Sequence, residues 1–180
     1  MTAIRTPRMT LQACSIPHFE ELIKGHQSYE ATFGVKVMDG YIEFPDALNY
    51  MLSQLKSAGV DLTWGAYLYI HRADNALIGM GGYKGAPDTQ GMVEIGYGVA
   101  PAYRGQGYAT EAARGLTDAA FQDERVGKVW AHTLAEINAS AQVLTKCGLT
   151  KIGELDDPDD GRIWRWEITK DRWLKIKQFR

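Results

Sequence analysis

The residues best suited to chemistry lie in one glycine-rich stretch near the middle of the chain. Residues 92–110 have the pattern of an apolar strand, a turn at Pro101, a glycine-rich bend and the beginning of a helix. Gly105 and Gly107 permit backbone conformations closed to other residues and let a ligand approach the main chain. The first amides of a helix lack intrahelical acceptors and carry about half a positive charge. The stretch therefore predicts an anion site suited to a phosphate or diphosphate.

The spacing of the glycines separates this loop from two common nucleotide-binding loops. A GxGxxG dinucleotide fingerprint needs a third glycine where Thr110 stands. A P-loop needs Gly-Lys-Ser/Thr, and Gly107 is followed by Tyr108 and Ala109. A glycine pair before a helix is also often only a tight turn, so the loop alone does not identify the anion.

Two motifs together carry a family resemblance. The segment from Arg104 to Ala109, RGQGYA, resembles the signature Arg/Gln-x-x-Gly-x-Gly/Ala of the GNAT superfamily of acyl-CoA-dependent N-acyltransferases. The segment from Asn138 to Leu149, NASAQVLTKCGL, resembles the branch of ribosomal-protein N-terminal acetyltransferases, in which an Asn is followed by a Ser and then by Lys-x-Gly-Phe/Leu. The resemblance covers residues 92–168 firmly and the first half of the chain by element order alone.

The resemblance implies acetyl-CoA as the cosubstrate and assigns its binding residues. The diphosphate would bind the loop and the helix start, which comprise Arg104, Gly105, Gln106, Gly107, Tyr108, Ala109 and Thr110. The preceding strand would splay from its neighbour, so that backbone groups at Tyr97, Gly98 and Val99 pair with pantetheine and an amide near Tyr97 polarises the thioester carbonyl. Asn138 would hydrogen-bond pantetheine besides capping a helix. The Arg104 side chain either reaches a phosphate or lies in solvent.

The resemblance also assigns the catalytic roles in a direct attack of an amine on the thioester. Glu94 would remove the amine proton, directly or through water, and the same residue is equally consistent with a surface carboxylate in a cross-strand pair. Many relatives carry a tyrosine as general acid where Leu144 stands, so Ser140 is the candidate acid, although a serine in a first helical turn is often structural. His71 and His132 lie in predicted strands and are further candidate bases, although lone histidines in strands are usually packed.

Composition describes an ordinary globular domain. The 180 residues are 45% hydrophobic and 23% charged, and the formal net charge of −2 gives no electrostatic reason to expect nucleic acid binding. Cys14 and Cys147 are far apart without metal-type spacing, which predicts buried free thiols, a reducing cytoplasm and no metal site. No run of about eighteen apolar residues is present, so no membrane segment is predicted. Residues 1–180 are interpreted as one domain.

Hydrophobic periodicity predicts an α/β (α+β) fold with a mixed, mostly antiparallel central sheet flanked by helices. Strands are predicted over residues 8–13, 64–72, 76–84, 92–100, 128–134, 149–155 and 162–168. Helices are predicted from Ser15 to about Gln27, from Asp46 to Gly59, from the glycine loop to before Gly127 and from Asn138 to Gly148. Residues 30–44 predict a loop or a broken helix. The nearby aromatic residues Tyr29, Tyr41, Phe44 and Trp64 either line an acceptor pocket or belong to the core.

The sequence thus predicts a cytoplasmic N-acetyltransferase that acts on a primary amine, either a protein N-terminus or a small molecule. A non-catalytic acyl-CoA-binding sensor is the alternative from a different class, and a nucleotide-dependent enzyme is a third. Strand edges and aromatic strands make a homodimer reasonable. The acceptor depends on the weakly patterned residues 30–44 and is not predicted.

Overall fold

The computed structural model describes residues 3–58, 61–158 and 160–178, and the strands in this part form one sheet. They are β1 (Ala3–Arg5), β2 (Met9–Ala13), β3 (Lys36–Val37), β4 (Ala66–His71), β5 (Ala76–Tyr83), β6 (Met92–Val99), β7 (Lys128–Leu134), β8 (Thr150–Asp157) and β9 (Gly161–Thr169). The order across the sheet is β1-β2-β4-β5-β6-β7-β9-β8, and β3 lies beside β5. Neighbours are antiparallel except β6–β7 and β3–β5. The predicted mixed, mostly antiparallel sheet is confirmed.

Helices pack on both faces of the sheet. They are α1 (Ile16–Lys24), α2 (His26–Phe33), α3 (Ala47–Ala58), α4 (Tyr108–Ala120), α5 (Ala139–Cys147) and α6 (Lys170–Lys177). Successive strand residues point to opposite faces. On β4, Leu68 joins the core of α1, α2 and α3, whereas Tyr67 and Tyr69 join the core of α4, α5 and α6. The first face is called the α1–α3 face and the second the α4–α6 face.

Local patterns predict most elements, and the departures have local causes. The predicted first strand, residues 8–13, is the second strand, because the short β1 precedes it. The helix predicted to run to about Gln27 is two helices, because Gly25 at φ +120° ends α1 and α2 follows it through part of the predicted loop. Trp64 lies in a 3₁₀ turn before β4. The predicted helix end at Gly59 lies outside the described residues.

Helix α6 is absent from the sequence interpretation because its periodicity is weak. Its fully buried residue is Trp173, whose Nε1 donates to Asp118 at 2.9 Å, and Thr169 caps the helix. In α4, Thr110 is buried rather than on the outer face.

Burial separates the four aromatic residues for which an acceptor pocket and the core were the alternatives. Tyr29, Tyr41 and Trp64 belong to the core, whereas Phe44 is 70% exposed. Cys14 and Cys147 are both buried, as predicted, and burial raises the pKa of the Cys14 thiol. No helix in the described ranges has both the length and the apolar character needed to cross a bilayer.

Glu111, in the first turn of α4, ties this helix to the turn between β1 and β2. Its carboxylate accepts from the Thr6 hydroxyl, the Arg8 amide and Arg8 Nε, each at 2.7 Å. The Arg8 guanidinium lies 3.9 Å from the Tyr108 ring centroid and donates to the Gln106 carbonyl at 3.0 Å. Burial raises the pKa of the Glu111 carboxyl, but these hydrogen bonds and the charge of Arg8 outweigh burial and leave it below its usual range. The contact fixes the glycine loop against the sheet edge.

The substitution Glu111→Ala should lower the free energy of unfolding at pH 7 by about 1–3 kcal/mol, because the buried Thr6 hydroxyl and the exposed amide and guanidinium of Arg8 lose their acceptor. The folded-state pKa of Glu111 is depressed, so its contribution is complete above the unfolded value of about 4.3 and is lost as the pH falls through the folded value. Urea denaturation at pH 7 and at progressively lower pH should show the difference from wild type shrinking. Glu20→Ala, which removes an exposed pair with Lys56, is the control and should cost at most about 1 kcal/mol. A loss at Glu111 no larger than at Glu20 would contradict this role.

Candidate functional site

A gap opens in the sheet where β6 and β7 part. The strands pair only over Met92–Lys128, Val93–Val129 and Glu94–Trp130, although β6 continues to Val99 and β7 to Leu134. Beyond this point each strand stays paired on its other side, β6 with β5 and β7 with β9. The gap therefore widens from Glu94 toward the glycine loop.

Tyr97 presents its backbone polar groups to this gap. The carbonyl oxygens of Gly96 and Gly98 face β5, since each lies 2.3 Å from the position that a Cβ on Gly81 or Gly79 would take. Backbone groups of successive strand residues alternate in direction, so those of Tyr97 and Val99 face the gap. The sequence assigns Tyr97, Gly98 and Val99 to pantetheine. The backbone polar groups of Gly98 face β5 rather than the gap, and Gly98 has no side chain to fill the space beside it.

The glycine loop lies at the wide end of the gap and leads into α4. Gly105 at φ +74° and Gly107 at φ +85° are both left-handed. Within the described ranges, backbone amides from position 105 to 110 donate to no protein acceptor, and the first that does is Glu111, to the Gly107 carbonyl at 3.0 Å. Arg104 is exposed, and its Nε donates to the Val99 carbonyl at 3.0 Å. The loop is a preformed set of outward amides at a helix N-terminus.

The start of α5 borders the same gap. Asn138 caps the helix as predicted, with Oδ1 accepting from the Ala141 amide at 2.9 Å. Ser140 Oγ donates to the Tyr97 hydroxyl at 3.2 Å, and that hydroxyl donates to the Ser140 carbonyl at 3.2 Å. Burial raises the pKa of Tyr97, so its hydroxyl stays protonated. Leu144, one turn further on, is fully buried and offers no polar group.

Glu94 occupies the narrow end of the gap with two basic partners. Its Oε1 lies 2.8 Å from His132 Nδ1 and 2.7 Å from Lys84 Nζ, and its side chain is 13% exposed. Burial raises the pKa of the Glu94 carboxyl, but the hydrogen bonds and charges of His132 and Lys84 outweigh burial and leave it below its usual range. Val93 and Ala131 belong to the α4–α6 core, so the adjacent Glu94 and His132 project on the α1–α3 face.

The two histidines that lie in predicted strands, His71 and His132, differ in their surroundings. His71 is packed as predicted: Nδ1 lies 2.9 Å from Asp74 and Nε2 lies 3.1 Å from the Tyr108 hydroxyl. His132 lies instead on the gap beside Glu94, a contact that the sequence interpretation missed. The alternation of residues 128–134 puts His132 on the same face as Trp130, but only the register of β6 with β7 brings Glu94 to it. Within the described residues, no group of three or more His, Cys, Asp and Glu side chains could hold a metal ion.

A cationic cavity of about 710 Å³ lies on another side of α4, between that helix and β1. Arg5, Arg114, Lys146 and Lys177 line it, together with Glu111 and Asp118. The two carboxylates pair with Arg8 and Lys177. Gly107 and Thr110 also line it, so the cavity adjoins the glycine loop and is a second place where an anion would find positive charge.

Comparisons with known proteins give a consistent result. A family profile described as "Acetyltransferase (GNAT) domain" matches residues 8–150. The chain is 25% identical over 150 residues to "Uncharacterized N-acetyltransferase YjdG" of Bacillus subtilis (strain 168), which covers 82% of this chain and 89% of that protein.

Two solved structures show the same fold. Ribosomal-protein-S5-alanine acetyltransferase from Vibrio fischeri superposes with a TM-score of 0.70 at 15% identity, over 96% of this chain and 99% of that chain. RimL, a ribosomal L7/L12 α-N-protein acetyltransferase in complex with coenzyme A, superposes with a TM-score of 0.69 at 15% identity, over 94% of this chain and 99% of that chain.

Two glycines on facing strands test the asymmetry of β6. A Cβ on Gly81 would lie 2.3 Å from the Gly96 carbonyl oxygen, whereas a Cβ on Gly96 would meet no atom within 4 Å. Gly81→Ala should therefore lower the free energy of unfolding by about 1–3 kcal/mol or more, because the strands must shift. Gly96→Ala should change it by less than about 1 kcal/mol and can raise it. Equal losses in urea denaturation would contradict an open gap on that side of β6.

Proposed function

Because the chain belongs to the GNAT acetyltransferase family, we propose that it moves an acetyl group from acetyl-CoA to a primary amine by direct attack in a ternary complex. The observation that carries the proposal is the gap beside Tyr97, which ends at the free amides before α4. A linear cosubstrate with a diphosphate at one end and amide groups along its arm fits that arrangement, because each part meets backbone groups of matching character.

In the proposed complex the diphosphate lies on the amides from Gly105 to Thr110. The missing side chains of Gly105 and Gly107 let its oxygens approach the backbone. Pantetheine follows the gap and pairs with the backbone of Tyr97, while the amide group of Asn138 that does not cap α5 donates to it. Arg104 supports this path indirectly by holding the end of β6 through Val99.

Acetyl transfer then needs a neutral amine and a stabilised carbonyl oxygen. The amide of Tyr97 donates to the thioester oxygen, where negative charge develops. One proton leaves the ammonium toward the Glu94 end of the gap, and the nitrogen forms a C–N bond as the C–S bond breaks. The second nitrogen proton passes to the departing sulfur, with Ser140 as the donor that hands it on. A thiolate of pKa about 8.5 is a tolerable leaving group, so removing Ser140 should cost less than removing the base.

The acceptor enters from the α1–α3 face in this proposal, because Glu94 and His132 project there. We assign it to the class of primary amines, which includes protein N-termini and small molecules. A cytoplasmic location fits a chain whose two cysteines, Cys14 and Cys147, are both buried. A homodimer through the exposed edge strand β8 fits its solvent-facing Ile152 and Leu155. Sedimentation analysis measures that association directly.

Turnover of acetyl-CoA with a mixed set of peptide N-termini, polyamines and amino acids tests the proposal. We expect acetyl transfer to at least one amine, a fall in kcat of about 10²–10⁴-fold for Glu94→Ala, and a smaller fall for Ser140→Ala. Coenzyme A binding without transfer to any amine would favour a non-catalytic acyl-CoA sensor. Stronger thermal stabilisation by NAD or ATP than by coenzyme A would favour a nucleotide-dependent enzyme.

The anion site has a matched pair of glycines for its own test. Gly105 at φ +74° and Gly34 at φ +67° are both left-handed, and a Cβ on either meets no atom within 4 Å. Aspartate tolerates this conformation better than most residues, so Gly105→Asp and Gly34→Asp carry similar strain. Gly105→Asp should raise the Kd of coenzyme A at least about tenfold, or about 1.4 kcal/mol, by repulsion of the diphosphate. Calorimetry that finds equal Kd values for both variants would place the diphosphate elsewhere.

A further inference from the structure

We propose that His132 takes the proton from the acceptor amine and that Glu94 positions His132 for this step. The assignment rests on the proposed function and deepens it, because it separates the group that touches the amine from the group that holds it. Position on the gap, the contacts of Glu94 and the free ring nitrogen of His132 each support it.

His132 lies where the acceptor nitrogen must come. It follows Trp130, the last residue of β7 that pairs with β6, by two positions on the same face. Continued pairing would have set it opposite Gly96, where a Cβ would meet no atom within 4 Å. The space between His132 and β6 is therefore open at the level next to Tyr97, whose backbone faces the thioester in the proposed complex.

Glu94 is poorly suited to accept the proton itself. It belongs to the last residue pair of the closed part of the sheet, and its Oε1 is already held by His132 and Lys84. Both partners favour its ionised form and hold the pKa of its carboxyl below the usual range in spite of burial, which makes it a weak base near neutral pH. Imidazole is the side chain that changes charge between pH 5 and 8.

The contact with Glu94 leaves one ring nitrogen for catalysis. Nδ1 lies 2.8 Å from Oε1 of the Glu94 carboxylate, which can only accept a hydrogen bond, so the tautomer that suits this contact carries its proton on Nδ1 and its lone pair on Nε2. Nε2 lies 3.8 Å from the half-exposed Asp160 carboxylate, longer than a hydrogen bond. An ammonium group that enters here comes close to the negative charge of Asp160 and to the basic Nε2 of His132 beside it.

The other charged groups near His132 are paired among themselves. Arg165 stands opposite His132 on β9, and its Nη2 lies 2.8 Å from Glu167. Lys128, on the same strand as His132, lies 2.7 Å from the other oxygen of Glu167. Lys84 contacts Glu94, which in turn contacts His132. The carboxylate of Glu94 is therefore the charge that acts most directly on the imidazole, and it stabilises the protonated ring.

The step is a simple proton transfer followed by acyl transfer. The ammonium N–H bond breaks and its proton passes to Nε2, giving a neutral amine and an imidazolium held by Glu94. The amine forms the C–N bond, the C–S bond breaks, and the second proton goes from nitrogen to sulfur. The imidazolium returns its proton to solvent when the products leave, so no further reactant is required.

The pH dependence of kcat/KM, measured with one amine throughout, distinguishes the two possible bases. His132→Gln should lower kcat by about 10²–10⁴-fold and leave the Kd of coenzyme A unchanged. It should also abolish the acidic limb of the profile, meaning the fall in kcat/KM at low pH that comes from an enzyme group rather than from the amine. Glu94→Gln should keep that limb, because His132 is still present. If Glu94 is the base, the pattern is reversed: the limb disappears in Glu94→Gln and persists in His132→Gln.

Chemical rescue gives a readout that a structural role does not affect. Added imidazole should restore part of the lost turnover of His132→Gly and none of the turnover of Glu94→Ala. His26→Gln removes a half-exposed histidine 3.5 Å from Asp39 and serves as the matched control with unchanged kinetics. Wild-type activity in His132→Gln would overturn the assignment while leaving the proposed function intact. Absence of transfer by the wild-type protein, with coenzyme A bound, would instead overturn the proposed function.

Discussion

The site depends on one constraint: over the second half of its length, β6 has a hydrogen-bonded partner strand on only one side. Backbone donors and acceptors that lose their strand partner without reaching water or a ligand are costly. The structure offsets this by holding β6 from every other direction: glycines on β5 allow close packing, Arg104 bonds the Val99 carbonyl, and the Tyr97 hydroxyl bonds Ser140. What remains unpaired is confined to the gap, where a ligand with amide groups can replace the missing strand.

The same parting of strands gives the gap two sides of different chemistry. On the α4–α6 face, a helix N-terminus and a capped second helix supply amides and hydroxyls. On the α1–α3 face lie Glu94 and His132, the groups that we propose to handle protons. Donor and acceptor can thus approach one point from opposite faces, which is the arrangement that direct transfer requires. The contact of Glu111 with Thr6 and Arg8 fixes the N-terminus of α4 against the sheet that carries Glu94 and His132.

Sequence reasoning succeeds here wherever a short stretch contains its own explanation. The glycine loop, the Asn138 cap, the Gly148 helix end and the alternation of β7 are local, and the structure confirms these elements. It fails where distant segments meet. The Glu94–His132 contact depends on a parallel register of three residue pairs, and the Arg8–Glu111 contact joins the first turn of the chain to α4. Helix α6 is missed because its burial comes from Trp173 rather than from a repeating apolar face. The backbone polar groups of Gly98 face β5 because the two strands pair there, and the sequence alone does not reveal that pairing.

A crystal structure with bound coenzyme A tests the central claim most directly. The account predicts diphosphate oxygens within about 3 Å of amides between Gly105 and Thr110, and pantetheine in the gap against the Tyr97 backbone. A diphosphate seated in the cationic cavity beside β1, among Arg5, Arg114 and Lys146, or a gap closed by continued pairing of β6 with β7, would contradict it.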